Sequence, residues 1–530
     1  MTSNRRFLRP ALLSTACMLA LSALTLPAQE SRLPDMGSSA ARILSPAKQN
    51  EYGAMMLAQL RHYGYTLDDP LLNQWLQGVG QRLAAASDRP EQPFTFFLLK
   101  ERQINAFATL GGYIGTNAGL ILAAEREDEM AAVLSHEIAH VTQTHVLRAV
   151  ERAQRDQIPI LLGMLAAIMV AQQSNSASSG DATMAAVMGA QGLIIQRQID
   201  YTRSNESEAD RLGIRTLARS GYDPEAMAAF FERMQASSRA NQGSEESRLP
   251  DYLRTHPVTT TRIAEAKTRA ERLPARTHLH TPHHQSANPL LPGGIKLDIA
   301  QSTGTSGDFA WARERLRVLS AASAREAIGE YQRMARTKPL DEAARYGLAL
   351  AKIRANQAAS AREDLAKLAL PQADNRWIQL ALAEAEAHSG QLATSDQRFE
   401  RLRLRYPNDP AVAISAATVL LERGNNEAAR RALAILRPLL GSSAHTPAFQ
   451  RIFARANEMA GDWVRAGEAY AEAEYLNGNP ERALLQLNTL LRRPDLDYYA
   501  RARIEARIIA ITPLVEELRR LGMTDKTLER

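Results

Sequence analysis

Cysteine is nearly missing from this chain. The single one, Cys17, lies in an N-terminal apolar stretch, so neither a disulfide framework nor a cysteine nucleophile is available to the rest. Aromatic residues are scarce at 5%, while alanine and leucine are prominent, which favours a helix-rich architecture. Charge of one sign is also lacking. The 64 basic and 58 acidic residues leave a net +6, and Arg5, Arg6 and Arg9 at the N-terminus supply three of that excess. This excludes an electrostatic case for nucleic acid, and no nucleic-acid-binding signature is present. Long apolar runs are few. Ile158–Val170 has 13 residues, too short to span a bilayer, so an integral-membrane protein is not expected.

What is present divides the chain of 530 residues into several parts, as its length requires. A basic start followed by apolar Ala11–Leu26 and Leu26-Pro27-Ala28 reads as a cleavable signal over 1–28, cut after Ala28. Helical patterns lie around Pro46–Tyr63 and Pro70–Ala86, and a short strand is expected over Phe94–Leu99. The run Gly111-Gly112-Tyr113-Ile114 predicts a strand flanked by glycines where another backbone approaches closely. Ile158–Val170 and Met184–Ile195 read as a buried helical hairpin; the alternative is an apolar flap over the active site or a peripheral contact with a membrane. Residues 274–307, rich in Pro, Gly, Ser and Thr, read as a linker carrying His278, His280, His283 and His284, a loose surface tract.

From about 308 onward the chain is continuous helix with a repeat. Asn356, Gly390 and Gly424 sit in helix-breaking triplets 34 residues apart, and Gly461 follows after 37. That period predicts tetratricopeptide-type helix pairs stacked into a solenoid over 308–530. Its inner face would bind another polypeptide, with Arg398, Arg401, Arg403 and Arg405 giving basic character or merely a solvated helix face.

The chemistry is concentrated in His136-Glu137-Ile138-Ala139-His140, an H-E-x-x-H match. Met130, Val133, Leu134 and Val141 recur at helical spacing, which predicts an amphipathic helix over Glu125–Val150, its acidic start suited to the helix dipole. Residues i and i+4 share a face, so His136 and His140 can present two imidazoles to one zinc ion. Glu137 would sit beside the metal and take a proton from water whose pKa the metal lowers. A third ligand is needed. His145, five residues after His140, is expected to face away, and Gln143 and Val146 exclude the extended H-E-x-x-H-x-x-G-x-x-H pattern. Asn205-Glu206-Ser207-Glu208-Ala209-Asp210 offers carboxylates at helical spacing, one to ligate and one to orient a ligand histidine. Spacing alone does not choose among Glu206, Glu208 and Asp210.

H-E-x-x-H followed by Glu206-Ser-Glu-Ala-Asp210-Arg-Leu-Gly213 resembles the zinc peptidases of the HtpX and CAAX-prenyl-protease class. With Asn105-Ala106-Phe107, the Gly111–Ile114 strand, the signal and the repeats, the whole chain resembles periplasmic beta-barrel assembly-enhancing proteases. The resemblance implies Glu206 as third zinc ligand and Asp210 as orienter of an imidazole. His256-Pro257 and Arg262 match a further family motif. It implies that His256 occupies the open zinc position at rest and swings away before cleavage; a nearby His or Arg could also stabilise an oxyanion. The expected fold is mainly α: a helical zinc-metallopeptidase domain with a small β-sheet over 29–273, then the solenoid. The implied function is a periplasmic zinc endopeptidase with chaperone activity. Its implied partners are unfolded or misassembled outer-membrane proteins and, through the repeats, the barrel assembly machinery. The rival is a chaperone or scaffold with a silent zinc site. The Gly112–Thr116 strand is the expected edge for an extended substrate.

Overall fold

The computed structural model describes residues 44–149, 151, 202–240, 252–253, 256–273 and 305–520. The expected N-terminal signal, the Ile158–Ile195 apolar segments and the histidine-rich tract lie outside the described residues. Among these, no helix is long and apolar enough to cross a membrane.

Two helices open the fold where proline and a capping side chain predict them. Helix α1 (Pro46–His62) starts at Ser45, and α2 (Pro70–Ala85) at Asp69, whose carboxylate accepts the Leu72 N–H at 3.0 Å. Between and after them lie β1 (Thr66–Leu67), β2 (Thr95–Leu99), β3 (Ala106–Ala108) and β4 (Tyr113–Asn117), forming one sheet in the order β1-β2-β4-β3. β2 and β4 run parallel, with Thr95 opposite Tyr113 and Leu99 opposite Asn117; β3 returns antiparallel on the other side of β4. This corrects the expected edge. The Gly112–Thr116 stretch is interior, because β3 lies between β2 and β4 in sequence yet pairs outside β4. Among the described residues the two edges of the sheet are β1 and Ala106–Ala108, and the latter is the one beside β4.

The glycines behave as expected. Gly111 and Gly112 have φ of 72° and 83°. A side chain at Gly111 would lie 2.6 Å from Asn50 Cα in α1, and one at Gly112 would lie 2.1 Å from the Pro93 carbonyl.

Behind the sheet come α3 (Ala118–Ala123), α4 (Glu127–Thr142), α5 (residues 202–219), α6 (Ala226–Ala240) and α7 (Thr260–Glu271). The helix α4 carries H-E-x-x-H, but it is not amphipathic in situ. Every residue from Glu127 to Ala139 is buried, because α2 and the sheet cover one side and α6 another. Its acidic first turn is fully used. Glu127 accepts from Trp75 Nε1 at 3.3 Å, Tyr222 Oη at 3.0 Å and the Ser306 N–H at 2.7 Å, and Asp128 accepts the Asp223 N–H at 2.8 Å.

The repeats begin at α8 (Phe309–Ser320) and continue through α9 (Ala324–Thr337), α10 (Glu342–Arg354), α11 (Ala358–Ala369), α12 (Arg376–His388), α13 (Leu392–Arg405), α14 (Pro410–Leu421) and α15 (Asn426–Leu436). After a short turn come α16 (Pro447–Met459), α17 (Trp463–Leu476), α18 (Pro480–Leu491) and α19 (Tyr498–Arg520). Asn356, Gly390, Gly424 and Gly461 all adopt positive φ between paired helices, which is why the period was visible in those residues. The arginine run is largely neutralised. Arg398 is paired with buried Glu386 at 2.7 Å, Arg403 with Glu400 at 2.9 Å, and Arg405 with Asp374.

The repeats pack directly on the peptidase elements. Arg315 of α8 clasps Asp69 at 2.7–3.0 Å, and Arg376 of α12 holds Asp409 at 2.6 Å and Gln74 of α2 at 2.9 Å. At the far end, Arg61 of α1 donates to the Leu476 carbonyl at 3.2 Å, and Gly478 (φ 78°) lies against the Ala58 backbone.

Candidate metal centre

Two helices that cross closely build the site. α5 approaches α4 through small residues: Ala209 packs on Ala139, and a side chain at Gly213 would sit 3.1 Å from the His136 nitrogen. This crossing brings Glu206 against both histidines. Its carboxylate oxygens lie 3.4 Å from His136 Nε2 and 3.3 Å from His140 Nε2, which are themselves 3.0 Å apart. His256 Nδ1 completes the group, 3.0 Å from Glu206 and 3.4 Å from His136 Nε2. One donor atom from each of these four residues lies within 4.8 Å of the others.

The spacing fits a tetrahedral ion. Bonds of about 2.0–2.1 Å give tetrahedral edges of about 3.3–3.4 Å. The contacts of Glu206 with both α4 imidazoles and of His256 with His136 fall there, and the His136–His140 and His256–Glu206 separations are shorter, at 3.0 Å. Two ring nitrogens facing one carboxylate in a buried space need a proton or a metal cation between them.

The surroundings are built for that cation. Asp210 Oδ1 lies 2.9 Å from His136 Nδ1, fixing the ring with Nε2 toward the centre. Arg262, capped into α7 by Thr259 and lying over the Phe231 ring, grips Asp210 through Nε and Nη2, both at 2.8 Å. Its Nη1 reaches Glu206 at 3.0 Å and the Pro257 carbonyl at 2.9 Å. The guanidinium is therefore engaged with the two carboxylates at rest. Burial works against the charge on Asp210 and Glu206, but Arg262 and His136 hold Asp210 below its usual range, and the three histidines hold Glu206 well below. Burial likewise disfavours charge on His136, yet Asp210 and Glu206 outweigh it and push that imidazole up to about 10 in the metal-free protein. His140, with burial dominant, is held down at about 3.

Glu137 is buried, and burial pushes its carboxyl up, opposed by His256 and His136. The Ala108 backbone of the edge strand lies close enough to lower it as well, and Glu137 Oε1 lies 3.7 Å from His256 Nε2. His256 stacks on Tyr252, centroids 4.8 Å apart.

His145 departs from expectation. α4 ends at Thr142, Thr144 takes φ 54°, and the chain turns so that His145 Nδ1 lies 2.9 Å from His140 Nδ1. Its Nε2 meets Glu208 at 3.1 Å, which also pairs with Arg148 at 3.0 Å. No glycine or proline marks this break, so sequence periodicity ran the helix through it.

Residues 70–270 match the model of peptidase family M48. A Yersinia pestis beta-barrel assembly-enhancing protease is 30% identical over 93% of this chain and 94% of its own length. The chain belongs to the beta-barrel assembly-enhancing proteases of peptidase family M48. The Escherichia coli K12 relative of the same name is 29% identical over 92% of each chain. A Vibrio cholerae relative is 37% identical over 51% of this chain, which thus spans about half (54%) of that protein. The chain is therefore a metallopeptidase, and the donor cluster occupies the matched region.

Proposed function

We propose that this M48 peptidase is a periplasmic zinc endopeptidase, with chaperone activity, acting on unfolded or misassembled outer-membrane β-barrel proteins. The proposed organisation is a signal over 1–28, the peptidase over 29–273, a linker over 274–307 and tetratricopeptide repeats over 308–530, the last reaching the barrel assembly machinery. The names of the relatives support the substrate class, and the convergence of His136, His140 and Glu206, backed by Asp210, carries the chemistry.

When bound, zinc would polarise the scissile carbonyl and acidify a water. The rest falls to the chain. Glu137, raised by burial, accepts the proton of the attacking water and passes it to the leaving amine. Arg262 and Asp210 hold His136 and Glu206 in place. An extended substrate adds to the open edge of β3, whose Ala108 already touches Glu137. His256 takes the fourth donor position at rest and must leave it before substrate binds. Once displaced, its imidazole can meet the oxyanion.

The test is metal content together with cleavage of casein or an unfolded β-barrel. Wild type should hold one zinc per chain and cleave; Glu137→Gln should hold zinc and lose about 10²- to 10⁴-fold in rate. Undiminished cleavage by Glu137→Gln would sink the mechanism. The position of His256 also favours a second reading, a chaperone whose site stays shut; full complementation of a deletion strain by Glu137→Gln would support it.

A further inference from the structure

The two α4 imidazoles are not backed alike. His136 rests directly on a carboxylate held by an arginine, Asp210 with Arg262. Among the described residues, no carboxylate meets the outer nitrogen of His140. It has His145, and behind His145 stand a carboxylate and an arginine, Glu208 and Arg148.

We infer that His145 and Glu208 are positioning residues for His140, a relay that fixes its tautomer and ring orientation through an intervening imidazole. The protons leave no freedom. His140 Nε2 is the atom that faces His136 at 3.0 Å and Glu206 at 3.3 Å, so it carries the lone pair. Its proton is then on Nδ1, 2.9 Å from His145 Nδ1, and two imidazole nitrogens so close need one N–H between them. His145 accepts there, keeps its own proton on Nε2, and donates it to Glu208 Oε2 at 3.1 Å. Arg148 donates to the same oxygen at 3.0 Å and holds it ionised.

The break in α4 is what allows this contact. A residue five positions along an unbroken helix points about 140° away from the first. The positive φ of Thr144 turns His145 back, and the ring is buried at 4% exposure. Glu206, Glu208 and Asp210 thus divide the labour on one helix: Glu206 faces the centre, Asp210 backs one imidazole and Glu208 the other.

The inference rests on the zinc reading above, and its test separates the two. Zinc affinity is measured on the full-length protein by chelator competition for wild type, His145→Ala, Glu208→Ala and the double variant, with melting of each metal-free protein as the folding control. His145→Ala should weaken zinc binding about 10- to 100-fold with the metal-free melt unchanged. Glu208→Ala should weaken it in the same direction, and the double variant should bind no worse than His145→Ala, because a relay is broken once. The visible spectrum of the cobalt-substituted His145→Ala protein should also shift. Should His145→Ala not fold, Glu208→Ala, at a part-exposed position, carries the test alone. Zinc affinity within twofold of wild type in the folded single variants overturns the relay while leaving the zinc site standing. A wild-type protein that takes up no stoichiometric zinc overturns the site itself, and the relay with it.

Discussion

His136 carries a sharp electrostatic conflict. It is fully buried, which disfavours charge, yet two carboxylates press on it and keep it protonated to about pH 10 without metal. A cation entering between His136 and Glu206 takes over the role of that proton. Zinc binding at neutral pH should therefore release about one proton from His136, measurable by titration calorimetry in buffers of different ionisation enthalpy. The metal-free fold should respond to pH in two opposite windows. His136 is raised from 6.5, so its contribution is complete below about pH 6.5 and lost as pH rises toward 10. His140 is lowered from 6.5 to about 3, so its contribution is present above pH 6.5 and lost as pH falls. Thermal melts of the metal-free protein should peak near neutrality and lose that peak when zinc is saturating. His256 is the other residue whose removal is informative. Its Nδ1 lies 3.0 Å from Glu206 and its ring stacks on Tyr252, and on the proposed mechanism that is the space a substrate carbonyl needs. His256→Ala should cleave casein several-fold faster than wild type at equal zinc content, read as initial rate.

Among the elements, the α4–α5 crossing decides whether a site exists. Gly213 is what lets the two backbones meet, since a side chain there would press on the His136 main chain, which cannot yield. Gly213→Val should cost about 1–3 kcal/mol of stability and lower zinc affinity together, seen in the melt and in chelator competition. The sequence made α4 legible because an acidic start, two histidines at i and i+4 and helical spacing all agree. Glu206 and Asp210 could not be ranked against Glu208 by spacing, since all three lie on one turn and only the crossing angle assigns each its partner. Three things were out of reach for physical reasons. Burial of α4 on every side depends on what packs around it rather than on its own pattern. The sheet order depends on β2 and β4 pairing in parallel across a segment that contains β3. The end of α4 depends on Thr144 adopting a conformation that its residue type does not advertise. The repeat turns were legible for the converse reason: glycine or asparagine marks each positive φ.

At the scale of the whole molecule, peptidase and repeats share buried ionic contacts. Arg315 and Asp69 are each nearly enclosed, and Asp69 also caps α2, so one carboxylate serves both a helix start and the junction. Arg315→Ala leaves that charge without its partner and should destabilise the full chain by about 3–5 kcal/mol, checked by denaturant melts followed at both peptidase and repeat tryptophans. The seam between α1 and residues 476–479 has a different consequence. A linear stack of hairpins ordinarily unravels from whichever tip is loose. Here the hairpin of α17 and α18 is moored back to the first described helix, whose other side presses on Gly111 just before β4. The array is thus a circuit rather than a rod. Freeing the helices between the two contacts means first parting α1 from one of its two neighbours, while α18 and α19 lie beyond the seam.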